Sequence, residues 1–341
     1  MIWVLRMISH LWLLSLTAFV FPEGTGGQGD RGWFHVDIRW RHVGSYGLRL
    51  SWNARQLAYR RVDTVRLTAE ELFSPGVVQE KNASVNDGII TILGLKPYTY
   101  YQMLVDGYRD NYTVFGATSL IRTLPTAPSY VDPPTGKAIS TKELEVKWSA
   151  PSQPNGILKP YIVTCFNTFD YSESHSVTTK DNTTTSVTFK QLRPGMEYQC
   201  SVVASTYPAN NQRAADCERR SALSDRIRTM ALAPSRVPRP KGEAISSAEI
   251  HLTWSKPRHS NGILQPYLVT CFDLTHGSAP TNLTTEDSET TSVTVRGLTP
   301  KTEYQCLVVA STIPAVGQDP SQCESRSELS APIWTKSSST L

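Results

Sequence analysis

The side chains best able to do chemistry are six cysteines. Cys165, Cys200 and Cys217 are followed, each at an offset of 106 positions, by Cys271, Cys306 and Cys323. No CxxC or HxxxH spacing accompanies them, so cysteines and histidines are not set out as metal ligands. His35 and His251 fall on strand positions that alternate outward. No nucleophile elbow, phosphate loop or paired-carboxylate motif occurs. The expectation is a non-enzyme without cofactor or metal. Four sequons begin at Asn82, Asn111, Asn182 and Asn282. All four lie between the apolar rows described below, where loops are expected, and predict glycosylation of an exported chain. Residues 39–66 hold seven arginines and one acid, Asp63.

The thiols' fate depends on compartment. After Arg6, an apolar run from Met7 to Phe21 leads into Pro22 and a glycine-rich stretch. This is the form of a cleaved secretory leader over residues 1–27, cut near Gly24 or Gly27. An anchor would need roughly 20 apolar residues. The polar tail Lys336–Leu341 lacks the hydrophobic terminus of a lipid-anchor signal. The expected product is secreted and extracellular, without a membrane span, and there cysteines oxidise. A net charge of +4 implies no nucleic-acid partner.

The cysteines sit inside a duplication. Trp148 and Tyr198 recur as Trp254 and Tyr304, and PNGILKPYIVTCF from Pro154 recurs as SNGILQPYLVTCF from Ser260. A period above 100 residues exceeds a solenoid unit, so each copy needs its own core. Within a copy the apolar residues alternate: Leu144, Val146, Trp148; Tyr161, Val163, Cys165; Val187, Phe189; Tyr198, Cys200, Val202, Ala204. Pro, Asn and Gly separate these rows, and no stretch shows a helical period. Short half-buried strands with regular turns predict an all-β sandwich.

Trp148 followed by Leu192-x-Pro194-x-Met196-x-Tyr198 resembles the fibronectin type III signature, an immunoglobulin-like sandwich. Trp254 with Leu298-x-Pro300-x-Thr302-x-Tyr304 repeats it, and Trp52 with Leu95-x-Pro97-x-Thr99-x-Tyr101 is a divergent third copy. The resemblance implies three tandem sandwiches over 33–124, 127–231 and 234–336, with these Trp and Tyr residues as core. It also implies linkers near Leu124–Pro133 and Ala231–Pro240, where proteases should cut first. In the first copy, VGSYGLRLSW from Val43 and DGIITILGLKPYTYYQMLV from Asp87 resemble the host-protective oncosphere antigens of taeniid tapeworms. Those are secreted or surface proteins implicated in larval invasion and adhesion. The other two copies resemble modules of receptor phosphatase ectodomains, yet no phosphatase domain follows.

On the resembled topology Cys165 and Cys200 face the core from neighbouring strands, as do Cys271 and Cys306, which implies the disulfides Cys165–Cys200 and Cys271–Cys306. Each would add roughly 3 to 4 kcal/mol on a chain-entropy view. In the first copy the matching positions are Ala69 and Met103. Cys217 and Cys323 fall in a loop nine residues longer than its counterpart in the first copy. They are free thiols, intermolecular bridges, or the partners of Cys200 and Cys306. Alternation places Arg39, Arg41 and Arg49 on one solvent face, a candidate contact for sulfated glycans or acidic extracellular proteins. The expected function is adhesion or binding in parasite invasion or host interaction. The alternative is a soluble decoy for a cytokine or other secreted ligand, although RSALS and RSELS stand where cytokine receptors carry WSxWS.

Overall fold

The structure is a computed structural model describing residues 36–338 except 75 and 77, together with the backbone of Ser15–Thr17. That backbone pairs antiparallel with Asp37–Arg39. The rest of the leader expected at 1–27, and His35, lie outside the described residues. The fold is all-β, built from two-sheet sandwiches. One helix, Ala54–Tyr59, escapes the periodicity argument. Asn53 caps it by accepting the Gln56 N–H at 3.2 Å, and Leu57 is its only buried side chain. Six residues with one inward position show no period.

Chain contacts gather into two compact units. The first comprises 1–130, 151–159 and 204–219. In it Asp37–His42, Gly47–Trp52 and Ile89–Leu93 form one sheet. Val78–Ser84, Thr64–Glu71, Tyr100–Arg109 and Tyr112–Arg122 form the other, in that order. Thr64–Glu71 alternates half-buried and buried along its whole length, the signature of a strand with one face on the core. Trp52 is buried and donates its indole N–H to the Val85 carbonyl at 2.8 Å.

The second unit comprises 131–150, 160–203 and 220–341. Thr135–Ala138, Leu144–Lys147 and Ser186–Phe189 make one sheet, and the other is centred on Ile162–Asn167 and the strand Glu197–Ser205. Lys241–Ala244, Glu249–Thr253 and Ser292–Arg296 repeat the first of these, and Leu268–Asp273 with Glu303–Ser311 the second. Trp148 meets Tyr161 edge-on at 5.5 Å, as Trp254 meets Tyr267 at 5.6 Å. Each signature tyrosine is buried with its hydroxyl accepting a backbone N–H five residues upstream. Lys96 donates to Tyr101 at 2.9 Å, Arg193 to Tyr198 at 3.1 Å and Thr299 to Tyr304 at 3.0 Å. Burial raises the Tyr198 hydroxyl above its ordinary pKa.

The last strand of the second sandwich leaves the ladder between Arg220 and Ile227, where two serines bridge the gap. Ser221 and Ser224 accept the Val202 and Cys200 N–H groups at 2.9 Å and donate their own N–H to the same residues' carbonyls at 2.8 Å. Ser327 and Ser330 do the same for Val308 and Cys306. These are the serines of RSALS and RSELS, three positions apart, and they serve two inward residues two positions apart on the neighbouring strand.

The linkers are fastened. In the first unit Thr126 donates to the Asn155 carbonyl at 3.1 Å, Asn155 Nδ2 to Ala127 at 2.9 Å, Thr206 Oγ1 to Thr126 at 2.9 Å and Gln212 Nε2 to Pro125 at 2.6 Å. In the second, Leu232, Asn261, Thr312 and Gln318 make the same set with Ala231–Ala233. Gln318 grips Ala231 twice, because Ala231 also donates its N–H to Oε1 at 2.9 Å. Pro125, with no N–H, allows Gln212 only the carbonyl bond. Gly156 follows Asn155, which sits at φ 53°, and a Cβ on it would lie 2.9 Å from Thr206 and 3.1 Å from Pro125. The long loop carrying each third cysteine is therefore the arm that holds a linker. Early cleavage there is no longer expected, since Val131, Ala231 and Val237 are buried.

Two outcomes follow from this bonding. Gln318→Ala, which removes both bonds to Ala231 as well as the one Oε1 accepts from Ala315, should speed tryptic cutting after Arg236 by a factor of roughly 5 to 30, at about 1 kcal/mol per linker bond. Gln212→Ala should leave that rate unchanged, and equal rates in all three proteins would refute the fastening role. Asp181 accepts from the hydroxyls and N–H groups of Thr184 and Thr183, which lowers its pKa to about 2. A lowered native pKa stabilises above the unfolded value and is lost as pH falls through the native one. Asp181→Ala should thus lower the urea midpoint at pH 7, and the difference should vanish as pH approaches 2. A gap that persists there would show a role other than charge.

Candidate binding face and cystine pairs

Cys165 lies directly opposite Cys200 in the register, and Cys271 opposite Cys306. Because the backbone of Cys200 turns to Ser224, it exchanges no hydrogen bond with Cys165. This is the rung on which opposite Cα atoms come closest, and here they are 4.0 Å apart. The structure joins both pairs as disulfides, buried in the core. Ala69 and Met103 oppose each other at the same place in the first sandwich. Cys217 and Cys323 are unpaired and buried. Each ends a short 3-10 turn, and its carbonyl accepts the N–H of Thr206 or Thr312. Two buried thiols in equivalent places thus shape the arm that grips the linker.

The sequons divide. Asn82 lies within the strand Val78–Ser84 and Asn282 within Thr281–Thr284, so neither is in a loop as the turn pattern implied. Both strands are sheet edges with no buried side chain, so neither writes an apolar row into the sequence. Asn111 occupies the tight turn between Tyr100–Arg109 and Tyr112–Arg122. Asn82, Asn111 and Asn282 are exposed, whereas Asn182 is half-buried in the turn held by Asp181.

The arginines separate by face. Arg39, Arg41 and Arg49 are exposed on the sheet Asp37–His42, Gly47–Trp52, Ile89–Leu93, with Arg41 directly opposite Arg49. Arg39 is held by Asp37 at 3.2 Å. Arg49 Nε donates to Thr91 Oγ1 at 3.2 Å, and Lys81, which sequence reasoning did not single out, donates Nζ to the Thr91 carbonyl at 3.0 Å. Nothing local marks Lys81, since it reaches Thr91 from the opposite sheet. Arg66 lies on that opposite sheet, bonded to Asp106 and Tyr108. Arg55 belongs to the helix, and Arg60 and Arg61 follow it. No acid pairs with Arg41, Arg49 or Lys81 among the described residues. His251 is half-buried beside Thr294.

Comparison with known proteins places these features. The model of the fibronectin type III domain matches residues 129–214 and 233–324, just over half of the chain. Phosphatidylinositol phosphatase PTPRQ of Rattus norvegicus is 28% identical over 289 residues, covering 82% of this chain and 12% of that protein. Usherin of Mus musculus is 30% identical over 228 residues, 63% of this chain and 4% of usherin. The chain thus spans about an eighth or less of these relatives' length. The matched part of the phosphatase is its fibronectin region, and such modules are themselves non-catalytic. The crystal structure of chicken CNTN1 FN1-FN3 domains covers 88% of this chain and 98% of its own, at 18% identity and a TM-score of 0.38. From the matched residues, the chain belongs to the fibronectin type III domain family.

Proposed function

We propose that the chain is a secreted, glycosylated adhesion protein whose three modules, at 33–124, 127–231 and 234–336, present sheet faces to an extracellular partner at a host surface. The observation that carries this reading is the pair of buried cystines at equivalent rungs of two sandwiches. Such structural disulfides persist outside the cell and are rare in a reducing cytosol. Three exposed sequons and the likeness of the first sandwich to secreted invasion antigens support the same address and role. The sheet faces suit macromolecular contact: the hollow beside Asp37, Arg39 and Asn53 is about 250 Å³ and open, whereas small-molecule sites are enclosing clefts of roughly 300 to 1,000 Å³.

Expression of the full chain in a secreting eukaryotic cell tests the reading. The protein should reach the medium, lose mass on N-glycosidase treatment, and support attachment of host cells when immobilised. Retention inside the cell, or no attachment together with tight capture of a soluble cytokine, would overturn it, the latter in favour of a decoy.

A further inference from the structure

We propose that Arg41, Arg49 and Lys81 on the first sandwich bind the sulfate groups of an extended glycan chain, an inference that rests on the adhesive reading and names its ligand class. Arg41 and Arg49 are directly opposed on neighbouring strands. Like charges so placed destabilise a sheet, and no described acid offsets them. Arg49 and Lys81 then converge on Thr91, one through its hydroxyl and the other through its carbonyl. Three cations therefore cross the sheet toward its open edge with no countercharge. Arg39, sharing the sheet, is excluded because Asp37 already neutralises it.

The shape of the site selects the ligand. Strands stand roughly 4.8 Å apart, so the positions of Arg41, Arg49 and Thr91 form a line across three strands rather than a pocket around one anion. Ile89 and Leu93, 49% and 62% exposed, flank Thr91 on the same strand and face. A linear polyanion with sulfates along its length meets the cations in turn, and its sugar rings lie against the flanking apolar side chains. Guanidinium forks match pairs of sulfate oxygens.

The test uses the full secreted chain and a heparin octasaccharide, by calorimetry in 0.1 M salt, where screening acts over about 10 Å. Arg41→Glu with Arg49→Glu should weaken binding by roughly a hundredfold, about tenfold per charged contact. Lys81→Glu should weaken it severalfold. Arg55→Glu with Arg109→Glu, the same charge change at exposed sites off the row, should cost under about threefold, and Arg49→Lys should restore part of the Arg49 loss. Unchanged melting temperatures establish that the variants are folded. The proposal is overturned if the off-row variant loses as much as Arg41→Glu with Arg49→Glu, if the native chain does not bind at low salt, or if desulfated heparin or polyglutamate binds as tightly. Cell attachment separates this from the adhesive reading: a native chain that attaches cells but ignores heparin sinks the sulfate row alone. One that binds heparin through the row without attaching cells sinks adhesion alone.

Discussion

The strand carrying the signature tyrosine must bury one row of side chains while leaving none of its backbone polar groups without a partner, and much of each sandwich answers that demand. In the second sandwich Tyr198, Cys200, Val202 and Ala204 are buried. One side of the strand is paired with Ile162–Asn167. On the other the last strand breaks between Arg220 and Ile227 before pairing again with Glu197 and Tyr198, which would leave the Cys200 and Val202 amides and carbonyls orphaned at roughly 1 to 3 kcal/mol each. Ser221 and Ser224 supply both donors and acceptors in its place. That choice also puts Cys200 on the close rung opposite Cys165, so the serine pair and the cystine are linked consequences of one strand's bonding.

The first sandwich meets the demand differently. Its last strand, Tyr112–Arg122, stays on the ladder along the length of Tyr100–Arg109, so no serine substitutes are required. Ala69 and Met103 fill the cystine rung with apolar volume. A shorter connection after the tyrosine strand goes with this arrangement. In the other copies the additional residues build the arm that carries Gln212 or Gln318 and a buried cysteine, and hold the preceding linker by its backbone.

Where the core fixes nothing, charge is free to be placed for contact. The outer face of the first sandwich brings two arginines onto one rung and a lysine to its end, an arrangement that packing neither requires nor rewards. Several cations elsewhere are neutralised locally. Arg66 meets Asp106, and Arg228 and Arg226 share Glu197. The contrast is between charge that the sheet balances and charge that it leaves for solvent or a partner.

Alternation along a strand is local, so the sequence by itself determined the inward rows, the turn-rich breaks between them and the duplication, whereas Ala69 and Met103 were reached only by counting from the tryptophan and tyrosine of the resembled fold. It also placed Arg39, Arg41 and Arg49 on one face, because a period of two needs no knowledge of neighbours. The tertiary structure alone decided what depends on a second segment far along the chain. It bonded Asp37 to Arg39, brought Lys81 from the opposite sheet to Thr91, put Asn82 and Asn282 on strands at sheet edges, and fastened the linkers by side chains some 80 residues onward. The helix at Ala54–Tyr59 belongs with these, since its single inward residue has meaning only against the core it meets. Period is written in neighbours along the chain, whereas register, edge and partner are set by where distant strands come to rest.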